Sequence, residues 1–333
     1  MVTTELFPDV IGQSNAKRVL DFFIRGFEKT SRIPHLMFVA PKGCGKTLMA
    51  KSVARRLKTI NEDKKYFEIN CSTLRNVKQF FNQICVPYMQ DRDATILFDE
   101  CSEIPKDVTM ALLTILNPNP DHQTSFSYED YQIDFDFRRL SFMFATTETQ
   151  SVFHALMDRL ERVDLEEYSL EEMGKIVALN LEVKIEPKAL EDISSVLRGN
   201  ARAAQKMAQK IESYCEQYNK KVFKNSDWQK LSKILNIYPF GLNITEILLL
   251  NILKDNTDCS LTNLAAKTGI SKQAVQRDFE IYLQKHSLMD ITTAGRNITA
   301  KGLEYLKELN KKENYAICYC TNMSLYVFPL KQT

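Results

Sequence analysis

Read from its N-terminus, the chain changes its hydrophobic pattern twice. Up to about Glu166, short apolar runs alternate with stretches of helical spacing. The runs "HLMFVA" (His35 to Ala40), "ATILFDE" (Ala94 to Glu100) and "RRLSFMFATTET" are continuous rather than alternating, as expected of strands covered on both faces, and "KYFEINCS" reads as a further short strand. Between them, the residues after Thr47, the segment "TLRNVKQFFNQIC" and Pro105 to Asn117 space their apolar positions for helices. Such alternation predicts an α/β domain on a parallel sheet over residues 1–166. One segment breaks the rule. In "QTSFSYEDYQIDFDF", Phe126 and Tyr128, then Tyr131, Ile133 and Phe135, alternate with polar residues about a central "EDY". That predicts a β-hairpin over 124–135, either projecting or packed on its own sheet.

From 167 to 238 the periodicity is helical throughout, in "SLEEMGKIVALNLE", "EPKALEDISSVLR", "GNARAAQKMAQKIESYCEQY" and "SDWQKLSKIL". Residues 239–312 read as a helix, a helix-turn-helix, a two-stranded wing and a final helix. The turn Gly269, Ile270, Ser271 and the spacing of Leu264, Ala265, Ile270 and Val275 are those of a helix-turn-helix core. Lys272, Gln273, Gln276 and Arg277 are then available on its second helix, and Arg296 at the wing tip, for contact with DNA. Residues 313–333 form an apolar tail, in which Leu325, Val327 and Phe328 cluster before Pro329.

The chemistry concentrates in "APKGCGKT", Ala40 to Thr47, between the first apolar strand and a helical stretch. Strand, glycine-containing loop and helix is the context of a phosphate-binding loop. Backbone N–H groups of the loop and of the new helix point at phosphates, aided by the helix dipole. Lys46 would reach the β- and γ-phosphates of ATP, and the Thr47 hydroxyl would hold Mg²⁺. Gly43, Cys44, Gly45 and Leu48 complete the nucleotide cradle. The usual first glycine is Ala40 here, which fits only where φ is not positive.

Asp99 and Glu100 close an apolar strand, where carboxylates are costly unless they have a task. Asp99 is suited to hold Mg²⁺ through its water shell, and Glu100 to activate a water. The plain alternative for each feature is a chance loop before a helix, and two solvated acids at a strand end. Arg202 falls in the first turn of a helix, a poor place for a cation unless an anion is near.

Charge adds little, since 44 Lys and Arg face 42 Asp and Glu for a net +2. Contact with DNA must therefore come from local clustering. No run is long enough to span a bilayer, and "MVTTELFPDV" has no secretory pattern. The eight cysteines are scattered, which argues for reduced thiols in the cytoplasm and against a zinc site.

Beside the phosphate loop, Ile11 in "IGQ" resembles the segment that folds over adenine in AAA+ ATPases. The order "IGQ", "APKGCGKT", "ILFDE", "FATTET", "MDRL", "GNARAA" and "TTAGRNITAKG" resembles the RuvB family of hexameric AAA+ motors, over roughly residues 5 to 310. These motors drive branch migration of Holliday junctions. The resemblance implies a sensor role for Thr147 toward the attacking water or γ-phosphate. It implies that Arg159 is a finger reaching a neighbour's ATP, and that Arg202 touches the phosphates. It further implies a homo-hexamer on four-way junction or duplex DNA, and a RuvA-type partner at the 124–135 hairpin. Ala40, "DECSEI" and Ala294 depart from the family pattern and suit a distant, phage-encoded member. "SLYVF" (Ser324 to Phe328) resembles peptides that dock on sliding clamps, against the plainer reading of a tail packed on the winged helix. A clamp-loader or replication-initiator ATPase would share the core but act as an ATP-timed loading switch, and clamp-loader subunits carry a Ser-Arg-Cys finger motif and no winged helix. A transcription regulator would explain the winged helix but not Glu100 and Arg159.

Overall fold

The computed structural model describes residues 7–58, 64–129 and 131–312, and the chain divides between Trp228 and Gln229 into two compact units. The tail 313–333, with the docking segment expected in it, lies outside the described residues.

The first unit contains the strands β1 (Leu36–Val39), β2 (Lys65–Asn70), β3 (Ala94–Asp99), β4 (Gln123–Tyr128), β5 (Tyr131–Asp136), β6 (Leu140–Thr146) and β7 (Glu161–Asp164). Five of them form one sheet in the order β2-β3-β6-β1-β7, every pair parallel. Its central strands β3, β6 and β1 are buried on both faces, which is why their sequences do not alternate, while the edge strands β2 and β7 are largely exposed. Leu36, Phe38, Leu97, Met143 and Ala145 pack with Leu20, Ile24 and Phe27 of the helix Ser14–Thr30 and with Met49 and Val53 of the helix Lys46–Ala54. The intervening Met37, Ile96, Phe98, Phe142 and Phe144 point the other way, toward Phe80, Phe81 and Leu112. Phe98 stacks on Phe144 with centroids 4.9 Å apart and meets Phe142 edge-on. Truncating such a buried ring to alanine costs about 3–5 kcal/mol.

The hairpin β4–β5 is packed on its own domain. Phe126 and Tyr128 each stack on Phe81 at 5.1 Å, and Ile133 and Phe135 are buried. Its exposed face carries Ser125, Ser127, Gln132 and Asp134 instead.

Strand register aligns the carboxyl ends on which a ligand site depends: Val39 lies opposite Thr146, and Asn70 opposite Asp99. Beyond β7 come the helices Leu170–Leu179, Pro187–Val196, Ala201–Gln217 and Asn225–Ile234. Ser169 and Glu172 cap the first reciprocally, and Asn200 caps the third. The units divide inside the fourth helix, earlier than the change of pattern near Tyr238. Its first turn is tied to the first unit by buried Asp227, which takes the Lys220 ammonium at 2.7 Å and the Lys224 N–H at 3.0 Å.

The second unit holds the helices Ile244–Asp255 and Leu261–Thr268, a long helix over 272–285, the antiparallel strands Met289–Ile291 and Arg296–Ile298, and the helix Ala300–Lys312. Gly269 makes the turn between the second and third helices at φ 71°. Leu250, Leu253, Leu264, Val275, Leu283 and Leu306 form its core. Among the described residues no single helix is long and apolar enough to cross a membrane.

Candidate active site

β1 leads directly into the phosphate loop, where Gly43 and Gly45 both adopt φ 87° and Gly45 starts the helix at Lys46. Ala40 is buried and is not among the positive-φ positions, so its methyl is accommodated without strain. Lys46 Nζ donates to Ala40 O at 2.8 Å and to Pro41 O at 3.2 Å. Thr47 Oγ1 donates to Asp99 Oδ2 at 3.3 Å, and Asp99 Oδ1 accepts the Glu100 N–H at 3.0 Å. A hydroxyl and a carboxylate side by side are hard oxygen donors that fit a partly hydrated Mg²⁺.

Glu100 is exposed and left-handed, at φ 56° and ψ 47°. Such backbone costs a non-glycine residue about 1–3 kcal/mol, and here it turns the chain sharply out of the strand that ends at Asp99. At the end of β6 the two threonines separate. Buried Thr146 accepts the Glu148 N–H at 2.9 Å, whereas Thr147 is exposed and follows the strand.

The helical region leans on the same loop. Ala201 N donates to Gly43 O at 3.0 Å, and the Tyr168 hydroxyl to Cys44 O at 3.3 Å. A Cβ on Gly43 would come within 2.1 Å of Asn200 Oδ1, and one on Gly45 within 2.8 Å of the Tyr168 oxygen. The positive φ calls for glycine at both positions, and a side chain there would in addition push Asn200 and Tyr168 aside. On the other side, the Gln13 side-chain amide donates through Nε2 to Glu166 O at 2.8 Å and accepts the Glu166 N–H on Oε1 at 2.9 Å. Ile11 beside it is half-buried, and Leu48 is 36% exposed. Gln13 belongs to "IGQ", which the sequence places in this region without its bonds to Glu166, whereas Tyr168 and Asn200 are not apparent there as contacts. Asn200 lies within "GNARAA", which was read for its arginine, and nothing local marks Tyr168.

Arg202 is exposed in the first turn of its helix. Burial holds the Lys46 ammonium below its ordinary pKa, Asp99 opposes that shift, and Arg202 adds to it. The bond from Ala201 N to Gly43 O brings the first turn of that helix, and Arg202 with it, to the loop that holds Lys46, an arrangement of two cations that an anionic ligand relieves. Arg159 is not part of this convergence. Its Nη1 donates to Ala155 O at 2.6 Å and its Nη2 to Asn117 Oδ1 at 3.3 Å.

In the second unit Lys272, Gln273, Gln276 and Arg277 are all exposed on the helix 272–285. Arg296 corrects the sequence reading. It stands at the start of the second wing strand rather than at the tip, and its Nε and Nη2 bond both oxygens of Glu280 at 2.9 Å and 3.3 Å. The side chains are only 15% and 4% exposed. Committed to a buried carboxylate, Arg296 braces the wing against the long helix and is not free for DNA. The exposed turn carries Thr293 and Ala294.

Residues 36–168 match the ATPase family associated with various cellular activities (AAA), and residues 239–307 match the RuvB C-terminal winged helix domain. The Holliday junction branch migration complex subunit RuvB of Mycoplasmopsis pulmonis is 24% identical, over 91% of this chain and 96% of its own length. The subunit of that name from Campylobacter hominis is 23% identical, over 90% and 88%. The Thermotoga maritima RuvB Holliday junction branch migration motor shares the fold with a TM-score of 0.72 at 21% identity, over 91% of this chain and 98% of that one. With a nucleotide site at the carboxyl edge of an AAA sheet and a RuvB-type winged helix later in the same sequence, the chain is a RuvB-like AAA+ ATPase.

Proposed function

We propose that this ATPase is a hexameric DNA translocase that promotes branch migration of Holliday junctions in the cytoplasm. The observation that supports it most is the joining of the phosphate-loop site and a RuvB-type winged helix in one chain. Relatives that align along nearly its whole length are named as subunits of the branch migration complex. Its parts are then an ATPase domain over 1–166, a lid over 167–238, a winged helix over 239–312 and the tail.

In this reading the converging cations bind ATP, with Lys46 on the β- and γ-phosphates and Arg202 approaching from the lid. Ile11 and Leu48 line the nucleotide, and Gly43, Cys44 and Gly45 offer backbone N–H groups. Thr47 and Asp99 would hold Mg²⁺, which neutralises charge on the transferred phosphoryl group when bound. Glu100 orients the attacking water and takes up its proton, Thr147 steadies that water or the γ-phosphate, and Arg159 reaches the neighbouring subunit's nucleotide. Lys272 and Arg277 grip DNA phosphates, since a translocating motor must tolerate every sequence. A RuvA-type partner at the 124–135 hairpin would read its polar face, because Phe126 and Tyr128 are already occupied by Phe81.

The test is ATP hydrolysis by the full chain with a synthetic four-way junction, compared with linear duplex of equal length. Stronger stimulation by the junction is expected. Equal stimulation would overturn the junction reading, and dependence on a ring-shaped clamp would move the chain to the loaders.

A further inference from the structure

Arg159 is held by surroundings that do not complete it. Ala155 O and Asn117 Oδ1 each take one bond, and its Nε is buried with no hydrogen-bond partner. Among the described residues it has no carboxylate partner, whereas Arg296 has both oxygens of Glu280. Arginine has five donors in a planar fork that suits a bidentate anion. A neutral amide oxygen at 3.3 Å is a weak competitor for that fork. The contact is therefore strong enough to direct the side chain and weak enough to be exchanged for phosphate.

Asn117 is also well placed to respond to the nucleotide site of its own subunit. It follows the helix Lys106–Ile115, which begins just past the turn Cys101–Glu103 that Glu100 opens. Val108, Leu112 and Ile115 anchor that helix in the core, so Asn117 is held in a fixed position relative to the sheet. We propose that Asn117 is a positioning residue, a latch whose amide oxygen holds Arg159 on its own subunit until the guanidinium is exchanged for the neighbour's phosphate. This inference rests on the reading of Arg159 as acting between subunits.

Two substitutions at exposed Asn117 test it in the full-length protein, read as kcat and KM for ATP. Asn117→Asp turns the neutral hold into an ion pair, which at an exposed site is modest, so kcat falls several-fold with KM unchanged. Asn117→Ala removes the side-chain hold and leaves only the bond to Ala155 O, so kcat rises by up to about twofold as the competent population grows. A residue with only a structural role would move both variants in the same direction. Two equal losses, or no change in either, overturn the latch. Arg159→Ala supplies the control. If it abolishes hydrolysis while both Asn117 variants match the wild type, the latch alone fails. If Arg159→Ala hydrolyses like the wild type, the inter-subunit reading fails and the latch with it.

Discussion

Lys46 and Arg296 are both cations read from motifs as ligand contacts, and their partners are of opposite kinds. Lys46 donates to the neutral carbonyls of Ala40 and Pro41, with a second cation, Arg202, close enough to disfavour its charge. Arg296 is locked to the buried carboxylate of Glu280. A cation on neutral carbonyls can trade them for phosphate oxygens. A cation whose counter-ion is buried cannot leave without stranding that charge. The nucleotide site is thus assembled from exchangeable contacts, and the wing from a fixed one. The partner of an arginine, more than its position in a motif, tells whether it is available.

The largest expected effect breaks the exchangeable side of this contrast. Glu100→Gln keeps size and hydrogen bonding but loses the charge that polarises water, so hydrolysis should fall by about 10²–10⁴ with ATP binding retained. Near-wild-type turnover would assign the water to another residue. On the fixed side, Arg296→Ala leaves Glu280 unpaired, and the unfolding free energy should drop by about 3–5 kcal/mol. The conservative double change Arg296→Met with Glu280→Leu should recover most of it. Unchanged stability with weaker DNA binding would return Arg296 to the DNA surface.

The same contrast runs along β1, from the polar loop at its exit to His35 at its entry. His35 is wedged between Phe137 and Phe142 with Nδ1 unpartnered, and burial lowers its pKa to about 4. Its folded value lies below its unfolded value, so the unfolded chain binds the proton more readily. Stability is then full above about pH 6.5 and is lost as pH falls toward 4, by at most about 3 kcal/mol. His35→Phe should flatten that stretch of the pH profile, as chemical denaturation would show. The smallest effect sharpens the wing comparison. Lys272→Ala and Arg277→Ala should each reduce the log–log salt slope of DNA binding by roughly one, equally for all sequences. Sequence-dependent losses would point to base contacts instead.

Much of this was legible in the sequence. Runs such as "ATILFDE" announced strands covered on both faces, and the positions of Phe98 and Leu97 on opposite layers follow from strand alternation alone. The cradle of Lys46, Thr47 and Asp99 followed from strand ends that a parallel sheet must align. The hairpin alternation was equally clear, but which way its aromatic face turned depended on Phe81, distant in sequence. Tyr168 and Asn200 were illegible for the same reason, because they meet Gly43, Cys44 and Gly45 only through the fold, from far away in sequence. Arg296 misled because the wing motif marks a position, while its Glu280 partner comes from another element.

The most direct measurement is strand exchange on a mobile synthetic four-way junction, with and without a RuvA-type protein. The wild-type chain should convert the junction into exchanged duplexes only when ATP is hydrolysed, and Glu100→Gln should bind ATP and leave the junction intact. Wild-type protein that hydrolyses ATP on the junction yet leaves its arms unexchanged, with the RuvA-type protein present, would contradict the account.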